Sequence, residues 1–96
     1  MTKKLIQLDD RIEKIKRELL SFGEMRPGSI SAQRRSRGGV YLQLVYTYKG
    51  KPMSEYVRPE NKERVVRQLA AYKKFKELTR EWVSLSIERA KLVMEK

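Results

Sequence analysis

Apolar residues recur with a helical period at the start of the chain. From residue 2 to residue 22 every third or fourth position is apolar and charged residues fill most positions between; the series is Leu5, Leu8, Ile12, Ile15, Leu19 and Phe22. This spacing is typical of an amphipathic helix with one buried face. It predicts a helix over residues 2–22, and Gly23 follows where a helix C-cap is expected.

A loop and a β-hairpin are predicted next. Residues 23–39 are rich in glycine, proline and serine, which favours a loop. Residues 40–57 contain two runs of β-branched and aromatic residues around the turn signal Lys49-Gly50, which favours a hairpin with Pro52 on an edge strand. A two-residue and a three-residue turn would pair the second strand with opposite faces of the first, so the register stays open.

The last segment predicts one long helix over residues 59–95. Pro59 suits the first helical position, and neither glycine nor proline occurs after it. With the first helix, it predicts a single domain over residues 1–96 of the α+β class, mostly α. Its two helices would form an antiparallel coiled-coil-like hairpin with an inserted basic loop and β-hairpin.

The two predicted helices differ in length. At ~1.5 Å per residue, the segment of the last helix that the first helix can cover would end near Trp82. Apolar residues beyond that point would then have no partner within the chain. We therefore predict a homodimer, and the alternative is a frayed tail. The predicted interface consists of Trp82, Leu85, Leu92 and Val93.

The charge balance narrows the function. The chain has 23 Lys and Arg against 12 Asp and Glu, a net charge of +11. Such an excess favours nucleic acid as a partner, ahead of an acidic protein or a membrane surface. No apolar run approaches membrane-spanning length and charged residues occur close to the N-terminus, so we expect a cytoplasmic protein without a membrane partner.

Catalytic chemistry has little support in the sequence. The chain contains neither Cys nor His, which excludes thiol nucleophiles, disulfides, Cys/His zinc sites and imidazole bases. Asp9-Asp10 is the only pair of adjacent aspartates and lies in a predicted helix, where neighbouring side chains diverge. We predict no enzyme activity, no metal and no cofactor.

The excess charge concentrates in the non-helical third of the chain. Residues 25–58 carry 7 basic groups against one acidic group. Arginine forks, hydroxyls and amides are the groups that bind phosphate oxygens. We therefore predict nucleic-acid contacts, with DNA favoured over RNA; the alternative is a solvated loop that contacts nothing. The predicted residues are Arg26, Ser29, Ser31, Gln33, Arg34, Arg35, Arg37, Lys49, Lys51 and Arg58.

The hairpin tyrosines allow two interpretations. Tyr41, Tyr46, Tyr48 and Tyr56 could stack on bases, as aromatic residues do in single-strand binders. The same alternating positions are also typical of core residues and cross-strand pairs, which is the interpretation we favour for Tyr46. On the opposite face, Gln43 and Thr47 are the better candidates for contacts to base edges. The basic residues of the last helix, such as Lys73, are more typical of a solvated face.

Several short motifs resemble a known family. They are Met25-Arg26-Pro27-Gly28-Ser29-Ile30-Ser31, the hairpin ending in Gly50-Lys51, Tyr56-Val57 before Pro59, and the helix with Leu69, Tyr72, Phe75 and Leu78. They are similar to motifs of small uncharacterised bacterial and archaeal proteins, some encoded beside transposases. Members usually carry a Cys-containing insert suggestive of a metal knuckle before the hairpin. Here that region is shortened to residues 34–39 without cysteine. The resemblance implies no activity, and its mobile-element context favours nucleic acid.

The sequence thus predicts a small basic nucleic-acid-binding protein, acting as a homodimer. The alternative is a coiled-coil accessory subunit whose basic face docks an acidic protein or a ribonucleoprotein.

Overall fold

The described residues form two α-helices and a three-stranded antiparallel sheet. The computed structural model describes residues 3–35 and 39–94. The elements in chain order are α1 (Lys3–Leu20), β1 (Ser29–Arg35), β2 (Gly39–Tyr48), β3 (Lys51–Val57), a 3₁₀ turn (Pro59–Asn61) and α2 (Lys62–Met94). The predicted α+β class, mostly helical, is confirmed. The chain divides into two compact units, residues 1–23 with 74–96 (the helical unit) and residues 24–73 (the sheet unit).

In the helical unit, α1 buries the apolar face predicted from its periodicity. The four buried residues of α1 are Leu5, Leu8, Ile12 and Ile15, and α2 contributes Leu78. Ion pairs join the two helices: Arg11 binds both carboxylate oxygens of Glu81 at 2.5 and 2.7 Å, and Arg89 Nε lies 2.6 Å from Asp9 Oδ1. The pairs near the start of α1 involve residues near the end of α2, so the two segments run antiparallel.

The partner of α1 differs from the prediction. We expected α1 to lie along the beginning of α2 and to leave the residues beyond Trp82 without a partner. That expectation is wrong, because Asp9 and Lys4 of α1 pair with Arg89 and Glu88. The physical reason lies in the sheet unit, where Val65 and the half-buried Leu69 pack on the sheet and occupy the first part of α2.

The end of α1 also differs from the prediction. The helix stops at Leu20, two residues early, and Gly23 does not adopt the positive φ of a glycine C-cap. The N–H of Ser21 donates to the carbonyl of Glu18 at 3.0 Å, and the Ser21 hydroxyl donates to the same oxygen at 2.6 Å. These bonds satisfy a terminal carbonyl of the helix without a glycine.

The segment predicted as a basic loop contains a strand. Residues 29–35 form β1, which pairs antiparallel with β2 from Ser29↔Val45 to Arg35↔Gly39. The sequence of β1 is mostly small and polar, so its own composition does not favour a strand. The ladder of backbone hydrogen bonds to β2 and the packing of Ile30 on the sheet core override that local preference.

The hairpin turn settles the open register. Tyr48 pairs with Lys51, so the turn has two residues, and both have positive φ: 52° for Lys49 and 78° for Gly50. These signs are those of a type I′ turn, whose twist matches that of the strands. The strand order is β1-β2-β3, which places Pro52 on an edge strand as predicted.

One face of the sheet is buried and the other is exposed. Leu42, Leu44 and Val57 share a face and pack with Val65 of α2. On the opposite face of β2 and β3, no residue whose exposure the structure describes is buried. We call this face the open face; its described residues are Tyr41, Gln43, Val45, Thr47, Pro52, Ser54 and Tyr56, with Ser29 and Ser31 of β1 beside them.

Among the described residues, no helix is long and apolar enough to cross a membrane.

Gly28 lies close to the backbone of β2 in the sheet unit. Its φ is +118°, and a Cβ there would lie 2.5 Å from the Val45 carbonyl oxygen. We expect Gly28→Ala to lower the free energy of unfolding by about 2 kcal/mol or more, because it adds backbone strain and a clash with backbone. Denaturant unfolding followed by circular dichroism measures this.

Gly23→Ala is the matched control, because nothing lies within 4 Å of a Cβ at Gly23 and its φ is not positive. That variant should stay within about 0.5 kcal/mol of the parent. If the two substitutions lowered the free energy of unfolding equally, the proposed strain and clash at Gly28 would be wrong.

Candidate nucleic-acid interface

The positive charge is unevenly divided between the two units. Residues 24–73 carry 11 basic and 4 acidic groups, a net charge of +7. The helical unit has more acidic partners for its basic residues and nets +4. The sheet unit is therefore the part of the chain with the stronger attraction for a polyanion.

Arg26 is held by an acidic residue. Its Nη2 donates to Glu55 Oε2 at 2.5 Å, and Glu55 is the single acid among residues 25–58. The pair raises the pKa of Arg26 and, chiefly through this hydrogen bond, lowers the pKa of Glu55. Arg26 was predicted to contact phosphate, but its charge is already balanced in the folded chain. The partnership could not be foreseen, because Glu55 lies 29 residues away and its face depended on the open register.

Tyr46 belongs to the same cluster. Its hydroxyl donates to Glu55 Oε2 at 2.5 Å, which raises the pKa of Tyr46. The Arg26 guanidinium lies 5.3 Å from the centre of the Tyr46 ring, within the range of a cation–π contact. Tyr46 thus links β2, β3 and the segment before β1. This agrees with the structural interpretation favoured for that residue.

A second cluster fixes the segment before β1 to α2. Glu24 accepts hydrogen bonds from Arg64 at 2.6 and 3.1 Å and from Gln68 Nε2 at 2.6 Å. The Arg64 bonds first, and then the Gln68 bond, lower the pKa of Glu24 to about 2. The backbone N–H of Arg26 donates to the Gln68 carbonyl at 3.0 Å. Two of the four acids of the sheet unit are therefore engaged by neighbouring cations.

Other predicted contact residues lie on the sheet. Lys49, Lys51 and Arg58 are exposed, and Lys49 Nζ lies 5.4 Å from the centre of the Tyr48 ring. Ser29 is exposed and Ser31 half-buried on β1. Gln33, Arg34 and Arg35 belong to β1, where they pair with Tyr41, Val40 and Gly39. Arg37 lies outside the described residues. The sheet thus brings the backbone of β1 beside the hairpin. From the sequence, these two segments were expected to be a loop and a separate hairpin.

The open face carries an aromatic pair. The rings of Tyr41 and Tyr56 stack at a centroid distance of 4.8 Å and an interplanar angle of 28°. Gln43 lies directly opposite Tyr56 in the β2–β3 ladder. Both tyrosines are candidates from the sequence, but their pairing could not be predicted, because the register that brings them together was undetermined.

The predicted dimer residues lie in the helical unit. Trp82, Leu85 and Leu92 are half-buried, and Lys16 Nζ lies 5.6 Å from the centre of the Trp82 ring. Val93 is exposed. One side of α2 forms a groove of about 540 Å³ lined by Thr79, Trp82, Val83, Ser86, Ile87 and Ala90.

No group of carboxylates suited to a metal ion occurs among residues 3–35 and 39–94. Comparison with protein-family models, curated proteins and solved structures found no significant match. The resemblance to small proteins, some of them encoded beside transposases, therefore stays a prediction.

The Glu24 cluster predicts a pH dependence of stability. The folded pKa of about 2 lies below the ordinary value of 4.5, so folding favours the ionised carboxylate. This stabilisation is complete above the ordinary pKa and is lost as the pH falls toward 2. We expect Glu24→Gln to be less stable than the parent at pH 7 and to lose less stability between pH 5 and pH 2. Denaturant midpoints at several pH values measure this.

Arg64→Gln removes the same ion pair by changing its basic member. This variant should also lose less stability than the parent between pH 5 and pH 2. If the stability of both variants changes with pH in the same way as that of the parent, the Glu24–Arg64 pair does not stabilise the fold.

Proposed function

We propose that this protein binds nucleic acid through its sheet unit. The observation that carries the proposal is the +7 net charge of residues 24–73, with exposed Lys49, Lys51 and Arg58. Charge that is exposed on strands and turns is available to phosphates, whereas paired charge stabilises the fold. The contacts made by Glu55 and Glu24 support this division, because they engage Arg26 and Arg64 within the protein.

The proposed phosphate contacts lie toward both ends of the central strand. Lys49 and Lys51 flank the β2–β3 turn, whereas Arg34 and Arg35 pair with the first residues of β2. These ends are about 30 Å apart at ~3.3 Å per residue. Ser29, Ser31 and Gln33 on β1, with Arg58 after β3, would add donors between or beside these charges.

Salt dependence tests this function. Labelled duplex DNA, single-stranded DNA and RNA are titrated by fluorescence anisotropy at about 50 and 200 mM salt. We expect affinity to fall steeply with salt, because each neutralised phosphate releases a counterion and adds roughly 0.7 to 0.9 to the log–log slope. Replacing Lys49, Lys51 and Arg58 by glutamine should weaken binding and reduce that slope by about 2 to 3.

The matched control replaces Lys14, Arg17 and Lys91 by glutamine. These exposed residues belong to the helical unit, and the change in net charge is the same. The control variant should keep most of the slope of log affinity against log salt concentration. No binding to any probe at the lower salt, or equal losses in both triple variants, would reject the sheet unit as the site.

A separate observation concerns the helical unit. We propose that α1 and the second part of α2 form an antiparallel coiled-coil-like hairpin, and that two copies of the chain pair through the groove on α2. The groove contains both small residues, Thr79, Ser86 and Ala90, and larger ones, Trp82, Val83 and Ile87. If two copies cross antiparallel about an axis between Ser86 and Ile87, Val83 lies opposite Ala90 and Thr79 opposite Met94. Large side chains then meet small ones, as a self-complementary interface requires.

Light scattering after size exclusion tests the dimer. Val83 and Ile87 are more than half exposed, at 59% and 53%, so charged residues fit there in a monomer. We expect the parent to have the mass of two chains and the double variant Val83→Glu with Ile87→Glu the mass of one. As a control, Ser84→Glu, at an exposed position outside the groove, should remain dimeric. A monomeric parent at high concentration would contradict the pairing.

A further inference from the structure

The open face is unusual for the uncovered side of a sheet. Such faces are commonly polar, because the apolar residues are used on the covered side. Here Tyr56 is 53% exposed and Val45 42% exposed, although Leu44 on the covered side is fully buried. The face thus combines flat aromatic surface with amide and hydroxyl groups, and Lys49 lies in the hairpin turn at its end.

The distribution of charge around the open face favours the binding of anions. Glu55 is the single acid of residues 25–58, and it shares the covered side with its ladder partner Leu44. There it is bound to Arg26 and Tyr46. The described residues of the open face include no carboxylate, and Lys49 lies in the turn at its end, whereas Lys51, opposite Tyr48, belongs to the covered side. The face is therefore complementary to an anion that also offers flat apolar groups.

Single-stranded nucleic acid has this combination of properties. Its unpaired bases expose ring faces that stack on aromatic side chains, and its phosphates bind lysine and arginine. In a duplex the ring faces are covered by neighbouring base pairs, so a stacking surface adds nothing to duplex binding.

We propose that the open face is a stacking platform for single-stranded nucleic acid. Unpaired bases stack on the outer sides of the Tyr41–Tyr56 pair, whose facing sides already cover each other at a centroid distance of 4.8 Å. The Gln43 amide, opposite Tyr56, hydrogen-bonds a base edge, and Thr47 further along β2 contacts the next nucleotide. Lys49, in the turn at the end of the face, binds a phosphate beyond it. This inference rests on the proposed nucleic-acid function and specifies both the strandedness of the ligand and the residues that read it.

Matched substitutions separate stacking from folding. Tyr41 and Tyr56 are each replaced by isoleucine, which keeps the preference for a strand but removes the aromatic ring. Phenylalanine at the same positions keeps the ring and removes the hydroxyl. The variants are titrated by anisotropy against a single strand of about 16 nucleotides, as DNA and as RNA, and against the matching DNA duplex. Thermal unfolding verifies that each variant is folded.

We expect the parent to bind single strands more tightly than duplex. Each isoleucine variant should weaken single-strand binding by about 5- to 150-fold and leave duplex binding unchanged, because stacking contributes about 1–3 kcal/mol per base. The phenylalanine variants should bind as the parent does. A higher affinity for RNA than for DNA would point to recognition of the ribose hydroxyl as well.

An abasic strand tests the same idea from the side of the ligand. It keeps the phosphates but lacks the bases, so the parent should bind it as weakly as the isoleucine variants bind the normal strand. This probe decides the matter even if an isoleucine variant fails to fold. If abasic and normal strands bind the parent equally, with a steep salt dependence, the platform is wrong but the proposed function stands. If the parent binds no strand or duplex at low salt, both are wrong.

Discussion

The packing of α2 on one face of the sheet is the interaction on which the sheet unit depends. A two- or three-stranded sheet of this size is marginal in water unless one face is covered. Val65 covers Leu42, Leu44 and Val57, and Leu44 becomes fully buried. Burial of a leucine or valine side chain contributes about 1.5–3 kcal/mol, so this small cluster is a large part of the stability available. The same contact determines which strand residues remain on the open face.

Local periodicity was enough to predict the helices and the hairpin, but not the contacts between them. Strand β1 was missed because its residues are mostly small and polar, and its order comes from pairing with β2. The partner of α1 was misplaced because periodicity shows which face of a helix is buried but not what covers it. The positions of both segments depend on contacts distant in sequence, which a local pattern does not contain.

The candidate site shows the same limit. The sequence indicated correctly that basic groups are dense between residues 25 and 58, but it could not separate paired from exposed charges. Arg26 is bound to Glu55 of β3, and the face on which Glu55 lies depends on the hairpin register. Lys49 and Lys51, in contrast, are exposed. The stack of Tyr41 and Tyr56 depends on that register as well. One turn, with positive φ at Lys49 and Gly50, therefore determines both the ion pair and the aromatic pair.

The strand order β1-β2-β3 leaves the sheet with two edges, which affects its behaviour toward other copies of itself. An exposed edge offers unpaired backbone groups to which another strand can add, and this is a common route to aggregation. On the edge strand β3, Pro52 has no N–H to offer, and the exposed Lys51 beside it repels an incoming basic strand. Both residues oppose edge-to-edge association along β3, so the features that make the hairpin a poor template for aggregation also keep its charged turn accessible.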